Sequence, residues 1–199
     1  MTDIDAREVQ AGPCTVHFLE AGAPGGQGVL LLHGMSFQAQ TWQEIDTLTQ
    51  LASAGHHAAA LDLPGFGKSA PCTATPEEVL QEFIREVKLD RPVLVGPSMG
   101  GRVSLEFALA HPELVGGLVL VGAVGVQENR TRLGQIKVPC QIVWGGADSI
   151  SPLENGRILE SEIPDASLEV LDGAPHPCYL EQTDRWHQIL LHFLKERFS

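Results

Sequence analysis

Apolar and polar positions along the chain keep two rhythms, a short run of strand type and a longer period of helix type, and they alternate. Residues 14–19 read as a first short strand. Residues 29–32, Val-Leu-Leu-Leu, form a continuous apolar run, as expected of a strand buried on both faces. A helix is predicted over 41–54: Trp42, Ile45, Leu48 and Leu51 share one stripe, Thr41 and Glu44 have capping-box spacing, and Gly55 can end it. Residues 57–61 return to strand. Thr75 then stands before Pro76, with Glu78 at the third helical position. Val79, Leu80, Phe83, Ile84 and Val87 follow at helical spacing. A strand at 93–95 leads into a helix over 99–110, which His111-Pro112 stops. Strands at 118–121, 141–144 and 167–171, a helix opening at Ser151-Pro152 and a last helix over 183–195 complete the series.

Strands interleaved with helices predict an α/β fold, a mostly parallel sheet covered on both faces. Neither an internal repeat nor a linker interrupts it. One domain over 1–199 is expected, with 1–13 as an N-terminal extension and 127–137 as a short loop. The apolar runs near Leu30 and over 118–126 are too short and too Gly-broken to span a bilayer.

Composition adds exclusions. The chain is 43% hydrophobic and 19% charged, the balance of a folded globular protein. Its formal charge of −12 argues against nucleic acid or an anionic membrane as partner. Cys14, Cys72, Cys140 and Cys178 include no C-x-x-C pair, so neither a zinc site nor a redox motif is signalled. The opening residues do not resemble a signal peptide. Reduced cysteines and a cytoplasmic location are therefore expected. No metal site is expected either: His56 and His57 would face opposite sides of a strand, and His187 and His192 are off-register on a helix.

The strongest chemical signal is Gly96-Pro97-Ser98-Met99-Gly100, a G-x-S-x-G elbow between a predicted strand and a predicted helix. A turn this tight needs very small flanking residues. It lifts the serine above the sheet edge at a helix N-terminus, where negative charge is favoured. The plain alternative is a Gly-rich strand–helix turn with an inert serine. A serine nucleophile needs a base and a carboxylate to orient that base, in the chain order Ser, acid, His. Asp148 follows the strand at 141–144 across Gly145-Gly146-Ala147. His176 follows the strand at 167–171 across Asp172-Gly173-Ala174-Pro175. Both fall just beyond strand C-termini, where open α/β sheets carry their sites. Glu128 is the rival acid, but its loop lacks the turn glycines.

His33-Gly34-Met35-Ser36 follows the strand at 29–32, the position of an oxyanion loop, so the backbone N–H groups of Met35 and Met99 are the expected oxyanion donors. Ser36 and Phe37 are candidates for the substrate pocket. Cys178 is either a pocket residue or a buried reduced thiol. Gly67-Lys68-Ser69 imitates the end of a phosphate-binding loop, but that motif needs glycine where this chain has Asp62, and Pro64 removes an N–H. Residues 62–67 read better as a turn beside the site.

With these motifs together, the chain resembles the α/β-hydrolase superfamily from Cys14 to Phe198. The residues that carry the resemblance are Leu-Leu-His33-Gly34, Asp62-Leu-Pro-Gly65-Phe-Gly67-Lys-Ser69, Gly96-Pro-Ser98-Met-Gly100, Gly145-Gly146-Ala-Asp148 and Gly173-Ala-Pro-His176-Pro-Cys-Tyr-Leu. It is similar in particular to the α/β-hydrolase domain-containing protein fourteen family. There the matches are Thr41-Trp42-Gln43, Leu51-Ala52-Ser53-Ala54-Gly55, Asp62-Leu63-Pro64-Gly65, His176-Pro177-Cys178-Tyr179-Leu180 and Trp186-His187. That resemblance implies a cytosolic and nuclear monomer with esterase activity, and acyl transfer from acetyl-lysine to coenzyme A. The chain departs from the family at Gly100, where the family carries serine.

Only about a dozen residues separate the strands ending near Val124 and beginning near Val138, where larger relatives insert a helical cap. A capless, open site is expected. The leading reading is a serine hydrolase of small acyl substrates that needs no cofactor. The alternatives are an acyltransferase or protein-lysine deacetylase using coenzyme A, and a non-catalytic interaction module on a hydrolase fold.

Overall fold

The computed structural model describes residues 3–198. The strands are β1 (Ile4–Ala11), β2 (Cys14–Ala21), β3 (Gly28–Leu31), β4 (His57–Leu61), β5 (Val93–Pro97), β6 (Gly117–Val121), β7 (Cys140–Gly145) and β8 (Ala166–Leu171). The α-helices are α1 (Ala39–Glu44), α2 (Thr47–Ser53), α3 (Pro76–Val87), α4 (Met99–Ala110), α5 (Val126–Asn129), α6 (Leu153–Glu162), α7 (Cys178–Glu181) and α8 (Thr183–Phe198). The strands form one eight-stranded sheet in the order β1-β2-β4-β3-β5-β6-β7-β8. Every pairing from β4 to β8 is parallel, while β1 with β2 and β2 with β4 are antiparallel. After β3 the chain steps to one side to form β4, then crosses back to place β5 on the other side. The C-terminal ends of β3 and β5 therefore diverge, the place where a doubly wound sheet opens a crevice.

The two faces of the sheet are filled differently. Leu30, Leu94, Leu118, Leu120 and Ile142 point to the face covered by α3, α4 and α6. Val29, Val93, Val95, Val119, Val121 and Val143 point to the face covered by α1, α2 and α8. On that second face the short valine side chains leave depth for Trp42, Tyr179 and Trp186, whose ring centroids stand 5.1–6.1 Å apart. Both layers lie within one domain, and among the described residues no separate cap domain covers the sheet edge.

Several expectations need correction. The residues read as an N-terminal extension include β1, which pairs along its whole length with β2. Its sequence, IDAREVQA, hides it because an edge strand with mostly exposed side chains needs no apolar run. The single helix expected over 41–54 is two helices. Asp46, at φ 61°, breaks the helix between them, a conformation short polar residues tolerate. The first of the two starts at Ala39, earlier than the proposed Thr41–Glu44 box, because the Asp62 carboxylate accepts the Ala39 N–H at 2.7 Å. The loop expected over 127–137 holds most of α5 and a 3-10 turn, Arg130–Gln135. The expectation of reduced cysteines fails for one pair: Cys14 and Cys72 are disulfide-bonded across a sequence separation of 58. Only the fold brings the start of β2 beside the β4–α3 connection. Cys140 and Cys178 are free and buried. In contrast, α3 begins as read: Thr75 Oγ1 accepts the Glu78 N–H at 3.2 Å, and the Thr75 N–H donates to Glu78 Oε2 at 2.8 Å. No helix among the described residues is long and apolar enough to cross a membrane.

Candidate active site

Ser98 sits between β5 and α4 with φ 50° and ψ −112°, outside the regions L-residues favour. Such a conformation costs about 1–3 kcal/mol and persists only where its surroundings enforce it. Here the Ser98 N–H donates to the Val121 carbonyl at 2.9 Å, and the Ser98 carbonyl accepts the N–H groups of Arg102 (3.1 Å) and Val124 (3.3 Å). Glycine flanks make the turn possible: a Cβ on Gly96 would lie 2.2 Å from the Gly100 carbonyl oxygen, and one on Gly100 would lie 2.8 Å from that of His33. The side chain emerges half-buried at the N-terminus of the 12-residue α4.

His176 and Asp148 arrive from the β8 and β7 ends of the sheet. His176 Nδ1 stands 2.7 Å from Asp148 Oδ2, and the Asp148 side chain is 0% exposed. The other carboxylate oxygen, Oδ1, accepts the N–H groups of Ile150 (2.8 Å) and Ser151 (2.9 Å), which fixes the carboxylate plane. These contacts make Nδ1 the donor to a fixed acceptor, so in the neutral ring Nε2 carries the lone pair. That Nε2 is buried and has no hydrogen-bond partner among the described residues. The two loops interlock at Gly145, where a Cβ would fall 2.4 Å from the carbonyl oxygens of Ala174 and Pro175. The rival acid, Glu128, is exposed on α5 and pairs with no histidine.

On the other side of β5, the loop after β3 packs directly on the elbow: a Cβ on Gly34 would lie 3.7 Å from Ser98 Cβ. The N–H groups of Met35 and Met99 make no hydrogen bond to any described residue. Ser36 is exposed, and Phe37 is half-buried against Tyr179 with ring centroids 6.3 Å apart. Cys178 is a free thiol, one of the two readings given for it above. It is fully buried, and burial, with the Asp148 charge adding to it, pushes its thiol up to about 12. Among the described residues Met35 and Ile150 are the exposed large hydrophobic side chains, 70% and 66% accessible, and they follow β3 and β7 on opposite sides of the elbow.

Sequence reading missed Gly122, which follows β6 with φ +51° beneath the His176–Asp148 pair. A Cβ there would meet Asp148 Oδ2 at 3.2 Å and His176 Nδ1 at 3.3 Å. The glycine directly after an apolar strand was the available signal. It also missed Asp62 as a buried hub: Oδ1 takes the Ala39 N–H, while Oδ2 takes His17 Nδ1 (2.8 Å) and the Lys68 N–H (3.0 Å). The segment that imitates a phosphate loop thus surrounds a carboxylate, and a Cβ on Gly67 would lie 2.3 Å from its atoms. Among the described residues no three His, Cys, Asp or Glu side chains converge as metal ligands.

A sheet of this order, with a strained strand–helix elbow where it opens, defines a hydrolase of the α/β type. The chain belongs to the Alpha/beta hydrolase family, whose profile matches residues 29–135. It is 34% identical over 205 residues to "Putative protein-lysine deacylase ABHD14B" of Pongo abelii, covering 96% of this chain and 97% of the relative. It is 26% identical over 261 residues to a 2-hydroxy-6-oxononadienedioate/2-hydroxy-6-oxononatrienedioate hydrolase of Paraburkholderia phymatum, covering 90% of each. A crystal structure of a "predicted CIB-like hydrolase" from Thermoplasma acidophilum superposes with a TM-score of 0.95 at 24% identity, over 98% of this chain and 100% of that one, a likeness of fold.

Proposed function

We propose that the chain is a serine hydrolase that cleaves carboxylic esters and other small acyl substrates through an acyl-enzyme on Ser98. The observation that carries this is His176 Nε2, buried and unpartnered on a ring whose Nδ1 is held by Asp148, at the same sheet edge as a strained serine. Ser98 Oγ attacks the acyl carbon while His176 Nε2 takes its proton. Asp148 keeps the ring oriented and offsets the imidazolium charge. The Met35 and Met99 N–H groups, free of protein acceptors, receive the oxyanion, each donor worth about 3 kcal/mol in comparable sites. Collapse breaks the ester bond, and His176 returns its proton to the leaving alkoxide. Water then repeats the sequence on the acyl-enzyme and frees the acid and Ser98.

A second reading shares the acyl-enzyme. The relative named as a protein-lysine deacylase favours an acyl group borne on a lysine amide. Coenzyme A as acceptor in place of water is what the family resemblance adds. The uncapped edge, with Met35 and Ile150 exposed, suits an acyl group presented on a large carrier.

The test is labelling with a fluorophosphonate, followed by turnover of aryl acetates and acetyl-peptides with and without coenzyme A. Ser98 should carry the label, and Ser98→Ala should lose both label and turnover. Native protein that takes no label overturns the proposal. Coenzyme A that leaves acyl-enzyme turnover unchanged counts against transfer.

A further inference from the structure

His33 opens the loop that follows β3, is 1% exposed, and has no part in the proton transfers above. Its two ring nitrogens have different partners. Nε2 accepts the Leu63 N–H at 3.1 Å, so the proton of the neutral ring sits on Nδ1, which donates to the Gly34 carbonyl at 2.9 Å. Burial holds the ring below the usual histidine pKa, against the raising effects of the Gly34 carbonyl and the Asp62 charge. The neutral form is also the only one compatible with the Leu63 contact, since an imidazolium would set donor against donor.

The bond to Gly34 acts on more than that carbonyl. The described residues include no cis peptide bond, so the Gly34 carbonyl and the Met35 N–H are opposite ends of one planar unit. The carbonyl is pinned twice, by His33 Nδ1 and by the Phe37 N–H at 3.0 Å. With one end fixed, the direction of the other follows. Donation to the carbonyl also polarises the peptide and strengthens its N–H as a donor. The imidazole is held in turn by the neighbouring turn, with Leu63 on Nε2 and the Phe66 ring 4.9 Å from its own.

We propose that His33 is a positioning residue for the oxyanion site: its Nδ1–H locks the Gly34–Met35 peptide so that the Met35 N–H meets the developing oxyanion, and Leu63 holds the tautomer that does so. This rests on the serine-hydrolase reading.

Two variants and one spectrum test it. His33→Asn keeps an amide N–H near the place of Nδ1 and loses the Nε2 acceptor, whereas His33→Leu loses both. With aryl acetates, His33→Leu should lower kcat about 100-fold, the scale of one lost oxyanion donor, with KM nearly unchanged. His33→Asn should recover most of that loss, although both variants forfeit the Leu63 contact and lose similar thermal stability. A packing role alone would lower Tm and leave kcat of the folded fraction intact, which would overturn the proposal. So would equal kcat losses in the two variants. Should the variants fail to fold, nitrogen NMR of wild-type protein at pH 7 decides. A proton on Nδ1 with Nε2 bare is expected, and the opposite tautomer or an imidazolium overturns the proposal. Wild-type protein that fails to take fluorophosphonate at Ser98 defeats the underlying reading. Wild-type protein that labels normally while His33→Leu keeps full kcat defeats this proposal alone.

Discussion

Among the described residues two histidine–aspartate pairs have nearly the same contact distance. His176 Nδ1 lies 2.7 Å from Asp148 Oδ2, and His17 Nδ1 lies 2.8 Å from Asp62 Oδ2. Asp62 directly follows β4 and Asp148 lies in the loop just beyond β7, and each histidine leaves a buried Nε2 without a partner among the described residues. Their surroundings separate them. His176 stands at the open sheet edge across from Ser98, while His17 is in the middle of β2. Asp62 also caps α1 and ties the Lys68 turn, so its charge fastens three segments together. An imidazole oriented by a carboxylate is thus not in itself a catalytic device. What it becomes depends on whether a nucleophile and space for an acyl group lie beyond its free nitrogen.

The comparison breaks most sharply on substitution of one member of each pair. Asp148→Asn should cut kcat on aryl esters about 10⁴-fold, by favouring the wrong tautomer of His176, while Tm moves little. His17→Leu should do the reverse. It leaves a buried carboxylate short of its partner, so chemical denaturation should show a loss of about 3 kcal/mol with kcat of the folded protein retained. If both variants lost activity alike, the functional division between the pairs would fall. Gly122→Ala sharpens the distinction from the other side. It forces φ +51° on an alanine and crowds the His176–Asp148 pair, so kcat should drop about tenfold with a stability cost of about 1–2 kcal/mol. Steady-state kinetics and Tm on the same preparation check both figures.

The smallest effect concerns histidines outside both pairs. Burial lowers His33, His56 and His187 below the ordinary value of 6.5, with nearby carbonyl or carboxylate groups opposing it at His33 and His187. Each binds a proton less readily folded than unfolded. Below pH 6.5 the unfolded chain therefore holds more protons, and stability falls as pH drops from 6.5 through the lowered folded values. Urea midpoints should decline across that window, and His187→Asn should flatten the decline.

Much of this was legible in the sequence, for reasons that differ by element. β3, β5, β6 and β7 are buried on both faces and so read as apolar runs, interrupted in β7 only by Gln141. The start of α3 shows in Thr75, Pro76 and Glu78 because those contacts are local. Ser98, Asp148 and His176 stood out as candidates because turn glycines mark each loop, and Gly145 shows why: its missing side chain is the space the His176 loop occupies. The illegible features all depend on distant partners. β1 is an edge strand whose mostly exposed side chains break the alternation. The start of α1 is set by a carboxylate 23 residues away. Gly122 matters because of what two other loops place above it, and Cys14 finds Cys72 only through the fold.

That last link changes the covalent topology of one flank of the site. The bond closes a ring from Cys14 to Cys72, which encloses all of β2, β3, α1, α2 and β4, and with them His33, Met35 and Asp62. Ser98, Asp148 and His176 all lie outside it. A protease cut anywhere inside the ring opens the loop without releasing a fragment, so the flank proposed to hold the oxyanion stays tethered through a nick. The same cut made between Ser98 and Asp148 would leave the two sides of the proposed reaction centre joined by packing alone.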